Sequence, residues 1–192
     1  MIAACVTSAS ISGDFTRILE PMRDDESLYF MSVNRNKRGL TLLLKLAKGA
    51  DVLVENNRAG VMDRLGLGKE DLAKVNPRLV YASISGFGQS GPYQHRAAFD
   101  VVVQALSGMM SVTGEPGGGP CRVGTSIGDI GASLFATIGI LSALQKRHVT
   151  RHGDAVDVSM LDFQLALLAA LSSVVLFGQF RPPFVVAVAA AE

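Results

Sequence analysis

Short apolar runs of strand length alternate with helical patterns along the middle of the chain. Asp51-Val-Leu-Val-Glu55 predicts a short buried strand, and Leu79-Val-Tyr-Ala-Ser-Ile84, ended by Gly86, predicts another. Between them Lys69 to Asn76 predicts a short helix closed by Pro77. Strand, helix and strand at this spacing imply a right-handed crossover within a parallel sheet. Phe99 to Met110 predicts a helix and Glu115-Pro-Gly-Gly-Gly-Pro120 a loop. Ile130, Leu134, Ile138 and Leu141 fall on one face of a long helix ending near Lys146 and Arg147, whose charges suit a helix C-terminus. Ala155-Val-Asp-Val-Ser159 predicts a strand, followed by an apolar helix. No internal repeat is present. The pattern is that of an α/β protein, expected to be incomplete at both ends.

Composition narrows the classes. The 192 residues suffice for one domain with a sizeable core. With 48% hydrophobic residues, a formal net charge of +1 and no basic stripe interleaved with aromatics, nucleic acid is not an expected partner. Cys5 and Cys121 are too few for a disulfide framework, so a reducing cytoplasm is the expected location. No Cys/His cluster has metal-ligand spacing, and no metal is expected. Met1 to Ser12 lacks the positive region of a signal peptide. Leu165 to Gly178 is apolar almost throughout but shorter than the roughly 20 residues of a membrane span, and it reads as a buried helix. The apolar run from Phe184 to Ala191 has no partner that the sequence identifies.

One carboxylate stands out. Asp129, in Ser126-Ile-Gly-Asp-Ile-Gly-Ala-Ser-Leu134, lies among small residues where the long apolar helix begins. Ser126 and Asp129 have the spacing of a capping box, with Asp for the usual Glu or Gln, so Asp129 reads first as a helix cap. It also reads as a nucleophile. A helix N-terminus favours the anion and holds it ionised at neutral pH, and Gly128 and Gly131 remove side-chain bulk on either side. An ionised, open carboxylate can attack an activated carbonyl and form a covalent intermediate.

The context of Asp129 is an ordered set of motifs: Asn34-Arg-Asn-Lys-Arg38, Val54-Glu-Asn-Asn-Arg-Ala-Gly60, Arg64-Leu-Gly-Leu-Gly68, Ser85-Gly-Phe-Gly-Gln-Ser-Gly-Pro92, Phe99-Asp100, Thr113-Gly-Glu-Pro116 and Ile127-Gly-Asp129. In this order they resemble the class III CoA-transferases, the family that includes formyl-CoA transferase, carnitine CoA-transferase and α-methylacyl-CoA racemase. The resemblance spans about 13–171, leaving 1–12 and 181–192 unmatched. It implies that 1–192 form a single, incomplete CoA-transferase III-like domain. That domain would be a partial Rossmann-like parallel sheet with crossover helices, lacking one sheet edge and a second domain. Between Arg38 and Asp51 the chain is shorter than the family pattern. Asn57 stands where an aromatic is common, and Ala59 where proline is.

Carried over by position, Asp129 matches the family's nucleophile. The resemblance implies attack on an acyl-CoA thioester to give a mixed anhydride, then an aspartyl-CoA thioester from which CoA passes to an acceptor carboxylic acid. Asn56, Asn57, Arg58 and Arg64 match a CoA-binding segment, where the arginines would pair with phosphates. Ala97, Ala98, Phe99 and Asp100 match a second CoA-contacting stretch. Asp100 reads equally as an acid in the first turn of its own helix. His95 reads as a surface residue. CoA and acyl-CoA would be substrates, with no permanently bound cofactor, and the protein is expected to be a homodimer without nucleic-acid or membrane partners. Racemases of the family carry a histidine at the position of Phe99, and phenylalanine cannot move a proton, so transfer is favoured over racemisation. The alternatives are an acyl-CoA racemase or epimerase, and a catalytically silent remnant that pairs with a homologue.

Overall fold

A computed structural model describes residues 3–6, 19–23, 26–33, 43–115 and 118–169. The basic cluster Asn34–Arg38, the start of the resemblance from residue 13, and the C-terminal apolar runs beyond Ala169 lie outside the described residues.

The central sheet has four parallel strands in the order β1-β4-β5-β6: β1 (Ala3–Val6), β4 (Val52–Glu55), β5 (Val80–Ser85) and β6 (Ala155–Ser159). Val52 pairs with Ala3 on one side and Val80 on the other, and Tyr81 pairs with Ala155. The three strands expected from the apolar runs are present, parallel as predicted. β1 supplies an edge from the N-terminal stretch that the sequence leaves unmatched. A small antiparallel pair, β2 (Met22–Arg23) and β3 (Glu26–Ser27), precedes α1 (Leu28–Val33) and α2 (Leu43–Ala47).

Both faces of the sheet are covered, which is why β4 and β5 read as nearly continuous apolar runs. Strand side chains alternate between faces. Leu53 and Tyr81 pack with Ala47 of α2, Met62 of α3 (Val61–Arg64) and Leu72 of α4 (Lys69–Val75). Val52 and Val80 pack on the opposite face with Ala143, Ile140 and Leu144 of α6 (Ile127–Thr150). A third cluster joins Val103 of α5 (Asp100–Leu106), Ala132 of α6 and Met160 of α7 (Met160–Leu167). α5 is shorter than the predicted 99–110 because Gly108, in the left-handed region, breaks it before a 3-10 turn at Met109–Val112.

α6 differs from the expectation in which face it buries. Gly128, Gly131, Ala132, Ala136 and Ala143 are buried. The predicted apolar stripe, Ile130, Leu134, Ile138 and Leu141, together with Phe135, is about half exposed or more. Small side chains let the helix approach the sheet and α7 closely, so the large ones are turned outward. Among the described helices α6 is long and apolar enough to cross a membrane by length and composition alone, but its contacts with β5, β6 and α7 make it a layer of this domain. Its C-terminus is pinned by Arg147, which donates to the Asp51 carboxylate at 2.7 Å and to the carbonyls of Asp51 and Arg78 at 3.3 and 2.7 Å. The basic residues expected to complement the helix terminus thus tie it to the lower edge of the sheet.

Candidate active site

The N-termini of α5 and α6 meet above the C-terminal edge of the sheet, where open α/β sheets hold their ligands. Ser126 is the N-cap of α6, but its side chain makes no capping hydrogen bond. The cap comes from the neighbouring helix: Gly128 N donates to Asp100 Oδ1 at 2.7 Å. The capping box expected from the Ser126–Asp129 spacing is therefore not formed. Asp129 is exposed, and no described residue hydrogen-bonds its carboxylate. Loss of surrounding water, and secondly the Asp100 carboxylate, raise its pKa above the ordinary aspartate value. This opposes the expectation from a helix N-terminus alone.

Asp100 is 9% exposed, and both its oxygens are engaged inside the protein. Oδ2 accepts from Gln104 Nε2 at 2.6 Å. Gln104, with no exposed surface, also donates to Thr125 O at 3.3 Å and accepts from Val123 N at 2.8 Å. One turn of α5 thus holds the strap 123–128 that leads into Asp129. Beneath it Gln164 of α7, equally buried, accepts from Ser107 Oγ at 2.8 Å. Gly128 and Gly131 face this packing rather than opening the site to substrate. A Cβ on Gly128 would strike Gln164 Nε2 and lie 2.9 Å from Asp100 Oδ1, and one on Gly131 would enter the Phe163 ring.

The other predicted residues occupy the same edge of the sheet, at the end of β4. Asn56 and Arg58 are exposed and Asn57 is half-buried. Arg64 ends α3 and folds back towards Gly60, its Nη1 3.6 Å from where a Cβ on Gly60 would stand. Gly60 has φ 75°, which a side chain would strain. Arg58 lines a cavity of about 430 Å³ with Glu55, Tyr81, Ser83, Gln89 and Asp157. By strand alternation these lie on the face opposite α6, so the arginine turn and Asp129 flank the sheet edge from its two sides. His95 is exposed, as expected, and contributes to the cavity rim. Of the stretch 97–100, Ala97 and Phe99 are exposed, Phe99 by 73%, while Ala98 packs against Gly86.

Three buried polar atoms without a described partner, Ser85 Oγ, Gln89 Nε2 and Gln164 Nε2, also lie at this edge. Such atoms are few in native proteins. Among the described residues no group of three His, Cys, Asp or Glu could hold a metal ion. Sequence reasoning missed Gln104 and Glu55. The legible signals were the i, i+4 spacing of Asp100 and Gln104 across an otherwise apolar helix, and an acid ending an apolar strand.

Asp100→Asn should lower the pKa of Asp129 by removing the neighbouring charge. The acid limb of any activity that needs the Asp129 anion would move to lower pH, read from the pH dependence of kcat/KM. An unmoved limb would mean that Asp100 exerts no field on Asp129.

The unpaired Asp129 carboxylate at a helix N-terminus and the arginine-bearing turn thus share one edge of a parallel α/β sheet. Comparison with known proteins gives the class its name. The model of CoA-transferase family III matches residues 6–183, wider than the 13–171 of the resemblance, and the chain belongs to that family. It is 52% identical over 167 residues to an acetyl-CoA:oxalate CoA-transferase of Acetobacter aceti, covering 81% of this chain and 43% of that protein. It is 37% identical over 179 residues to a human succinyl-CoA:glutarate CoA-transferase, covering 88% and 41%. Among solved structures, a CAIB/BAIF family protein from Brucella suis superposes with a TM-score of 0.83 at 35% identity, covering 90% of this chain and 50% of that one. The chain spans about half the length of the relatives it matches.

Proposed function

We propose that this chain carries the nucleophile and part of the CoA site of a CoA-transferase that moves CoA from an acyl-CoA to a carboxylic acid. The observation that carries the proposal is the Asp129 carboxylate, which caps nothing and accepts no hydrogen bond from the described residues while Asp100 does the capping. Asp129 attacks the thioester carbonyl, the C–S bond breaks, and CoA leaves as thiolate with a mixed anhydride formed on the aspartate. The thiolate attacks the aspartyl carbonyl, releasing the donor acid and leaving an aspartyl-CoA thioester. The acceptor carboxylate repeats the sequence in reverse, and Asp129 is regenerated. No step needs a proton at the nucleophile, so the unpaired anion is the reactive form. The raised pKa makes it more nucleophilic than an ordinary aspartate wherever it is ionised.

Arg58 and Arg64 pair with CoA phosphates, Asn56 and Asn57 shape the turn, and exposed Ala97 and Phe99 border the thioester. Phe99 offers no proton donor, which favours transfer over racemisation. Relatives named for oxalate or glutarate suggest a short dicarboxylic acid as acceptor. The outward apolar face of α6 supports an assembly in which it is covered, and we assign that role to a homodimer in the cytoplasm. Sedimentation velocity at micromolar concentration is expected to give the dimer, and a monomer would remove that part.

Calorimetric titration with free CoA tests the binding half. Saturable binding should weaken about tenfold in Arg64→Ala, the loss of one charge-assisted phosphate contact. A folded chain that binds no CoA would leave the site without its carrier.

A further inference from the structure

The turn after β4 is held from below by a group that the proposed chemistry does not use. Glu55, at the C-terminal tip of the strand, is 2% exposed. Its Oε2 accepts from Asn57 N at 2.7 Å, and the Asn57 side chain and the Tyr81 hydroxyl lie near enough to favour the charged carboxylate. A buried carboxylate is costly unless its oxygens are paired, and here the hydrogen bond comes from the backbone of the turn at Asn57. Asn57 is therefore gripped by the protein on its inner side, while its neighbours Asn56 and Arg58 are exposed. Arg58 and Glu55 line the same cavity, so the grip sets where the exposed arginine stands.

We propose that Glu55 is a positioning residue for CoA recognition: by holding the main chain at Asn57, it fixes the turn that presents Asn56 and Arg58 to CoA. Glu55 touches neither the reacting atoms nor Asp129, which lies beyond the opposite face of the sheet. The inference rests on the CoA reading of the preceding section. It assigns Asn57 inward to Glu55 rather than outward to the ligand. Other polar groups lining the same cavity include Tyr81, Ser83, Asp63, Lys69, His95 and Asp157. Asp157 is already engaged by Gln89 N at 3.0 Å and Ser83 Oγ at 3.4 Å, so it does not replace Glu55 as the acceptor for the turn.

The test is calorimetric titration of the full chain with free CoA, with thermal melts to establish folding. Glu55→Ala should weaken CoA binding about tenfold, the size of one lost charge-assisted hydrogen bond. Glu55→Gln keeps an acceptor for Asn57 N–H and should bind within about twofold of wild type. A second pair reads the same contact if Glu55→Ala does not fold. Asn57→Asp sets two carboxylates against each other and should weaken binding, while Asn57→Asp with Glu55→Gln restores a donor and acceptor and should recover it. A merely structural carboxylate would not give that reciprocal rescue. A folded Glu55→Ala that binds CoA like wild type, or a double variant no better than Asn57→Asp, would overturn the assignment. A wild-type chain that binds no CoA would overturn the CoA reading itself, a result distinct from any pattern among the variants.

Discussion

Asp129→Asn should lower CoA transfer by about 10⁴-fold, the scale on which removal of a covalent nucleophile acts, and leave CoA affinity nearly unchanged. The amide occupies the same volume and no hydrogen bond from a described residue is lost, since none reaches the carboxylate. The variant should also melt higher than wild type at neutral pH. An acid whose pKa is raised by folding costs stability wherever it is ionised, and that cost vanishes below its unfolded pKa. The stability gain of Asp129→Asn should therefore shrink as pH falls through the raised pKa. Transfer rates, CoA titration and melts across pH measure the three parts. Retained turnover would remove Asp129 from the chemistry, and a lower melting point at neutral pH would show the carboxylate to be a stabilising cap after all.

The second large effect is on packing. Gly131→Ala places a methyl where the Phe163 ring lies, at the contact between α6 and α7. Phe163 is buried and meets Phe135 edge-on with ring centroids 5.2 Å apart, so it cannot yield without disturbing a second ring. Overpacking of this kind costs about 1–3 kcal/mol. Alanine's better helix propensity returns up to about 1 kcal/mol. The expected net is a loss of roughly 1 kcal/mol, or about 2–4 °C in Tm at this chain length. Gly124→Ala, where a Cβ meets nothing within 4 Å, is the control and should be neutral. If Gly131→Ala melts like wild type, the α6–α7 contact is looser than described. Because Gln164 of the same helix underlies Gly128, the displacement should also lower transfer through the position of Asp129.

The strands were legible because two covered faces demand continuous apolar runs, and Val52–Glu55 and Val80–Ser85 have them. The long helix was legible in length and in its basic end. Its orientation was not. A stripe of Ile and Leu is the ordinary signal of a buried face, yet here glycine and alanine are buried because they permit close approach. That choice depends on what α6 packs against and carries no mark in its own periodicity. Asp129 was legible as a carboxylate at a helix start. Its release from capping was not, since the cap on Gly128 N arrives from Asp100, 28 residues before Gly128, through contacts that only the tertiary fold assembles. Likewise Asn57 followed the motif into the CoA segment, but its bond to Glu55 needs the turn itself.

The central claim is covalent chemistry at Asp129, and mass spectrometry tests it most directly. The full chain would be mixed with acetyl-CoA, quenched in acid and digested. The account predicts a peptide containing Asp129 that has gained CoA less one water, absent from Asp129→Asn. A chain that binds CoA yet forms no such adduct, or forms it at another residue, would contradict it.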